Sequence, residues 1–332
     1  MTRVFHLASA SAGILPATSE MTTTNYWDHF VARIGIRRGD HRVAPGLYKL
    51  GAPTPESLVF VTANYSLSFD ALRTSLRGLD AYILVLDTRG VNVWCAAGKH
   101  TFGTRELVRR IKAVDLNAVV SHRRLILPQL GAPGVAAHEV KQQTGFVVEY
   151  GPVRATDIPE YLKNHRATPA MRLVKFPLSD RLVLIPVELT SIWLPALIAI
   201  GLGFIIGNLP YALAVLTVIL FGTALFPALL PWLPSHDFST KGGFLGLVAA
   251  VPFVLSVLLQ HPEWSWYRQT GQVLGYLLAM PSSIAYITLN FTGSTTFTSR
   301  TGVRKEIFAY IRPMAFSFAF GLVALLVFAF VR

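Results

Sequence analysis

The stretch AYILVLDTRGVNVWCAAGK, residues 81–99, decides how the first half of this chain folds. Its first six residues are apolar without interruption, the pattern of a strand covered on both faces, and Asp87, Gly90 and Asn92 then supply turn chemistry. A helix is expected after Cys95. Cys95, the single cysteine in 332 residues, therefore stands between the carboxyl end of a strand and a helix, where α/β domains place their ligands. A helix start and the nearby Lys99 favour a thiolate there, although an isolated cysteine is more commonly a small buried hydrophobe. One cysteine makes no internal disulfide, and intermolecular pairing stays open.

The same alternation extends outward. SLVFVTA (57–63) reads as a strand, SFDALRTSLRG (68–78) as a helix, and TRELVRRIKAV (104–114) as a helix burying Leu107, Val108, Ile111 and Val114 with Arg105, Arg109 and Lys112 toward water. Either LNAVVS (116–121) or RLILP (124–128) is the next strand. GVAAHEVKQQTG (134–145) is a helix ended by Gly145, FVVEYG (146–151) a strand and ATDIPEYLKNH (155–165) a helix. This rhythm predicts an α/β, Rossmann-like domain with a mostly parallel sheet over residues 46–170. Residues 1–45 are expected as a flexible tail, since the Ser/Thr/Ala-rich start lacks the uninterrupted apolar core of a signal peptide.

Composition changes sharply beyond that domain. The chain is 52% hydrophobic with mean hydropathy +0.46, yet only seven of its 30 Lys and Arg and four of its 18 acids fall after residue 181. After a linker at 171–183, residues 184–332 read as an all-α transmembrane domain of five helices, at 184–206, 209–233, 244–259, 273–289 and 315–331. Lys241, Arg300, Arg304, Lys305 and Arg312 fall on the side of the amino-terminal domain. The positive-inside rule then predicts a multi-pass protein of the cytoplasmic (inner) membrane, with the first domain in the cytoplasm and Arg332 outside. Gly203 and Gly207 make a weak helix-packing signal. Of the formal +12, the front of the chain carries +9 (23 basic less 14 acidic residues), spread along it with no nucleic-acid module, so anionic lipid is a better match for it than nucleic acid.

Other chemistries leave little trace. No glycine-rich dinucleotide or P-loop motif follows a strand, and a Cys/His hydrolase would need His100, His122 or His138 brought to Cys95. The stretch NVWCAAGK, residues 92–99, does resemble the signature of the HgcA family of mercury-methylating corrinoid proteins. VTANYSLSFDALR (61–73) is similar to the segment that approaches the corrinoid in the related large subunit of the corrinoid iron-sulfur protein, and GPVRATDIPEYL (151–162) to its Gly-Pro segment and final helix. LNFTGSTTFTSRTGVRKE (289–306) resembles the family's membrane-domain loop.

The resemblance implies a cobalamin-type corrinoid, methylcobalamin in its methyl-donating form, with the Cys95 thiolate as lower axial ligand of the cobalt. No Asp-x-His-x-x-Gly, the His-on cobalamin signature, is present. It further implies cofactor contacts from Thr62, Asn64, Ser68, Asn92, Val93, Trp94, Ala96, Ala97, Gly98, Lys99, Gly151, Pro152 and Ala155. Ala96, Ala97 and Gly98 would let the backbone approach the macrocycle. The implied activity is transfer of the cobalt-bound methyl group to Hg(II), giving methylmercury; a membrane-tethered methyl carrier for another one-carbon acceptor is the alternative. Cobalt must be reduced afterwards, and this chain has no cluster cysteines. A small ferredoxin-like iron-sulfur reductase is thus an implied partner, with a methyl-donor methyltransferase or methyltetrahydrofolate upstream.

Overall fold

The computed structural model describes residues 13–37, 39–291 and 300–330. Two compact units divide the chain: residues up to Ala32 with Ile36–Val174, and Arg33–Gly35 with Lys175–Arg332. In the first unit β1 (Leu15–Ala17), α1 (Thr23–Arg33), β2 (Gly46–Leu50), β3 (Val59–Ala63), α2 (Ser66–Ser75), β4 (Ala81–Leu86) and α3 (Val93–Gly98) precede α4 (Thr104–Ala113), α5 (Leu116–Val119), β5 (Arg124–Leu127), α6 (Ala137–Thr144), β6 (Val147–Tyr150) and α7 (Ile158–Asn164).

The strands form one mixed sheet in the order β1-β2-β4-β3-β5-β6. β4, β3, β5 and β6 are parallel, whereas β2 runs antiparallel to β4 and carries β1 parallel to itself. Four of the five pairings are parallel, in keeping with the mostly parallel sheet expected; only β2 against β4 is antiparallel. Residues 51–58 join β2 to β3, too short a link for the crossover that parallel strands need. RLIL forms β5, and LNAV is a single helical turn entered through Asp115 at φ 46°.

Period-two alternation sends the two faces of β3 to different layers. Val59, Val61 and Ala63 join Leu84, Leu86, Leu107, Ile111 and Phe146 in one core, beneath α3, α4 and α6. Phe60 joins Ile83, Val85, Ile126, Leu72 and Tyr161 in the other, beneath α2 and α7. All six residues of β4 are buried because both cores cover it.

The segment expected as a flexible tail is instead built into this domain from residue 15. β1 pairs with β2, and α1 is fastened by polar contacts: His29 Nε2 lies 2.8 Å from Asp70 Oδ2, His41 Nδ1 lies 2.7 Å from Asp28 Oδ1, and Ser66 Oγ donates to Asp28 Oδ2 at 2.6 Å. Arg73, 5% exposed, donates to the carbonyls of Thr18 and Glu20. Apolar periodicity does not register an attachment made of charges.

The second unit is helical: α8 (Leu178–Leu182), α9 (Leu184–Leu220), a π-turn at Phe221–Leu225, α10 (Phe226–Leu229), α11 (Phe238–Gln260), α12 (Trp266–Leu289) and α13 (Arg300–Phe330). α8 occupies part of the expected linker. Among the described residues four helices, Leu178–Leu229, Phe238–Gln260, Trp266–Leu289 and Thr301–Phe330, are long and apolar enough to cross a membrane. The first, of 52 residues, would extend about 78 Å if unbroken, against a hydrocarbon thickness near 30 Å. It is broken at Gly207 and Asn208, whose backbone is non-helical, with Asn208 at φ 54° and ψ −152°. Gly203 and Gly207 pack against Tyr211 just past that break, and Gly242 and Gly246 let α11 approach Ala285 and Pro281 of α12. Lys241 is buried and donates to the carbonyls of Leu230 and Leu233, while buried Glu306 accepts from the backbone N–H of Ser239 at the start of α11.

In the first unit a Cβ on Gly134 would lie 2.2 Å from the Phe102 carbonyl oxygen and 3.0 Å from Ala97 Cα. Neither is a flexible side-chain tip that can move aside. Gly134→Ala is expected to destabilise the α/β domain by about 1–3 kcal/mol through overpacking, read as a lower midpoint of thermal unfolding in the detergent-solubilised chain.

Candidate functional site

The parallel strands β4-β3-β5-β6 have the order of a doubly wound sheet whose winding reverses between β3 and β5, the place where such sheets hold ligands beyond the strands' carboxyl ends. A cavity of about 280 Å³ opens there. β3 contributes Phe60, Val61 and Thr62; α2 contributes Ser68, Ala71 and Leu72; Asn92, Val93 and Trp94 come from the start of α3. Ile126 to Pro128, Leu130, Pro152, Val153, Ala155 and Ile158 complete the wall. No lining residue is ionisable, and Thr62, Ser68 and Asn92 are the only ones with polar side chains besides the Trp94 indole.

Seven of the expected ligand residues thus share one cavity: Thr62, Ser68, Asn92, Val93, Trp94, Pro152 and Ala155. Gly151 sits beside it, its N–H donating to Leu127 O at 2.8 Å. Asn64 does not line it. Asn64 is 2% exposed, and its Oδ1 accepts from Thr88 N at 3.0 Å, Thr88 Oγ1 at 2.9 Å and Gly90 N at 3.0 Å. It therefore ties the end of β3 to the loop after β4, whose Arg89 and Gly90 adopt φ 60° and 73°.

That loop delivers Asn92 as the N-cap of α3, its Oδ1 accepting from Cys95 N at 2.9 Å. The cap takes up the Cys95 N–H, one of the donors at this helix start. Cys95 is a free, half-buried thiol directly after the cavity residues Val93 and Trp94. Trp94 remains 36% exposed, large apolar surface held open at the rim. Ala96 and Ala97, expected to let the backbone approach a macrocycle, are fully buried in the domain core, and Ala97 packs closely against Gly134. Gly98 ends the six-residue α3, and Lys99 follows as its exposed C-cap, with its N–H on Cys95 O at 3.1 Å.

No histidine hydrogen-bonds to the Cys95 sulfur among the described residues. His122 lies before β5, at the opposite end of the sheet, with Nε2 on Ser57 O at 2.9 Å and Nδ1 accepting from Arg124 N. Below the cavity floor, Tyr161 donates to Glu149, which also pairs with Arg124 at 2.8 Å. Burial disfavours the Glu149 carboxylate, but these two hydrogen bonds outweigh it and hold its pKa below the usual carboxylate range. Burial, reinforced by Glu149, pushes the Tyr161 phenol upward. Both groups are locked in structure at neutral pH.

The apolar wall residues Phe60, Leu72, Ile126 and Ile158 were legible only as core. Their one distinguishing signal is position, since all four belong to the core on a single side of the sheet.

The donor set suits one class of metal group. A bare ion needs three or four protein ligands, and no cluster of three His, Cys, Asp or Glu suited to a metal occurs among the described residues. One thiol beside an apolar, uncharged cavity matches a metal that arrives in a macrocycle supplying its own equatorial donors.

Comparison with known proteins points the same way. Residues 37–162 match the family model of the CO dehydrogenase/acetyl-CoA synthase delta subunit, a span containing every candidate residue above. The chain is 35% identical over 129 residues to the acetyl-CoA decarbonylase/synthase complex subunit gamma of Methanothermobacter thermautotrophicus, covering 38% of this chain and 27% of the relative. It is 30% identical over 128 residues to the corresponding subunit of Methanopyrus kandleri, covering 38% and 27%. Over 129 residues it is 30% identical to the corrinoid/iron-sulfur protein large subunit of Moorella thermoacetica, covering 38% and 28%. The chain spans little more than a quarter of the length of these relatives, and the matched family model ends before the helical unit. Residues 37–162 are thus a domain of the CO dehydrogenase/acetyl-CoA synthase delta subunit family, homologous to the corrinoid/iron-sulfur protein large subunit.

Proposed function

We propose that this protein is a membrane-bound corrinoid methyltransferase that passes a cobalt-bound methyl group to Hg(II), with the Cys95 thiolate as the axial ligand below cobalt. The observation that carries the reading is the placement of the lone thiol, half-buried on a capped helix start beside an uncharged cavity at the reversal point of the sheet. When bound, a methylated cobalt corrinoid would supply the methyl group, and Cys95 would hold it through a sulfur donor to the metal.

The chain's own residues bind, orient and exclude water. Pockets that enclose drug-sized ligands run to about 300–1,000 Å³, so a cavity of about 280 Å³ would enclose only part of a corrinoid, with Trp94 at its rim and Cys95 next in sequence. Thr62 and Ser68 would hydrogen-bond the enclosed part, Pro152 and Ala155 would pack against it, and Asn92 holds the Cys95 backbone in place. With no ionisable lining group, the cavity offers no proton donor or acceptor to compete with methyl transfer. The same geometry serves a methyl carrier for another one-carbon acceptor. The NVWCAAGK resemblance favours mercury. A low-potential iron-sulfur protein and a methyl-donor methyltransferase or methyltetrahydrofolate complete the cycle.

Cys95→Ala is expected to retain the corrinoid but shift its absorption spectrum and abolish methylmercury formation from Hg(II). An unchanged spectrum with unchanged turnover removes Cys95 from the metal.

Positioning and binding roles separate by two further substitutions. Asn64→Ala leaves the buried donors of Thr88 and Gly90 unpaired at about 1–3 kcal/mol each, so the unfolding midpoint should fall sharply. Thr62→Val should leave that midpoint unchanged and weaken corrinoid binding roughly tenfold, the cost of one hydrogen bond near 1.4 kcal/mol.

We further propose that the break at Gly207 and Asn208 makes two spans of the first long helix, so that five cross the membrane from a cytoplasmic first domain. Reporter fusions after Arg181 and after Arg332 should then register opposite sides; four spans would put both on one side.

A further inference from the structure

α1 has its polarity reversed for a helix on a soluble domain. Successive residues advance about 100° around the axis, which gathers Tyr26, Trp27, Phe30 and Arg33 on one face and Asp28, His29 and Ala32 on the other. The charged face is the inner one, engaged with His41, Ser66 and Asp70. The aromatic face is open: Tyr26 is 63% exposed, Trp27 66% and Phe30 52%, with the Trp27 and Phe30 rings stacked at 5.5 Å. Exposed Arg33 and Arg37 follow, and neither forms an ion pair among the described residues.

The far end of this helix belongs to the helical unit. Arg33–Gly35 group with residues 175–332, and the Ile34 carbonyl accepts a hydrogen bond from Thr190 Oγ1. Thr190 lies just after Glu188, the last Asp, Glu, Lys or Arg before an apolar run that reaches Asp237, and just before exposed Trp193. That is the position of the water–bilayer boundary on the first span. Trp27 precedes Ile34 by seven residues of the chain.

We propose that the outer face of α1 lies in the headgroup layer of an anionic phospholipid bilayer, with Tyr26, Trp27 and Phe30 at the acyl boundary and Arg33 and Arg37 on lipid phosphates. Interfacial helices combine these features, aromatic rings with one apolar and one polar end flanked by cations. A soluble protein partner would not need the exposed arginines that follow the aromatic face.

The inference rests on the membrane reading of the helical unit, and the test separates the two. Nitroxide labels are attached at Trp27→Cys, Tyr26→Cys, Leu197→Cys and Glu160→Cys of the full chain in a Cys95→Ser background, reconstituted in vesicles rich in phosphatidylglycerol. Collision rates with oxygen and with a water-soluble nickel complex are then compared. Leu197 is 60% exposed in the first long helix and reports the bilayer; exposed Glu160 on α7 reports water. The oxygen-to-nickel ratio at 26 and 27 should be several-fold above that at 160. It should fall when Arg33→Gln and Arg37→Gln are combined or when the vesicles are purely zwitterionic. Water-like ratios at 26 and 27 with a bilayer ratio at 197 overturn the inference and leave the face to a protein partner. A water-like ratio at 197 overturns the membrane reading itself.

Discussion

The side-chain oxygen of Asn64 is the point on which the site depends. Three donors from the loop after β4 converge on it, all within 3.0 Å and inside the protein. The Thr88 hydroxyl lies also 2.6 Å from the Val91 carbonyl, so its single proton serves one of two acceptors at a time. Two residues of the loop hold left-handed backbone, and an open loop of that kind collapses without a fixed acceptor at its centre. Through this tie the end of one strand dictates where Asn92, Trp94 and Cys95 stand at the end of its neighbour.

What the loop delivers is chemically spare. Around the cavity there are hydroxyls, an amide and aromatic and aliphatic carbon, and nothing that titrates. Such a wall selects by shape and by a few hydrogen bonds, and under the proposed function it would leave reactivity to a bound group and to one sulfur. The protein's chemical contribution is then geometric: it keeps the thiol at a fixed height beside an apolar slot, on a helix too short and too firmly capped to drift.

The helical unit obeys different rules. Its apolar side chains are displayed outward and its polar ones, Lys241, Gln272, Thr288 and Glu306, are turned inward against carbonyls, amides and hydroxyls. Glycines set the helix contacts because, in a lipid-like surround, close backbone approach replaces hydrophobic burial as the source of attraction. α1 carries the same outward aromatic display into the first unit.

By itself the sequence determined the elements whose signal is local: the all-apolar run of β4, the amphipathic face of α4, the Gly145 stop of α6, the long apolar helices, and a cysteine at a strand-to-helix junction. Each follows from the spacing of side chains along a few turns or pleats. Tertiary structure alone decided the rest. It reversed β2 and ordered the segment at 15–33, because an edge strand's direction and a clamp of buried charges depend on partners dozens of residues away. It moved Asn64, Ala96 and Ala97 from the ligand surface to loop support and core, and it turned Phe60, Leu72, Ile126 and Ile158 from anonymous core into a cavity wall. An apolar residue reads the same in sequence whether it meets another side chain or an open space, and only the packing of distant elements creates that space.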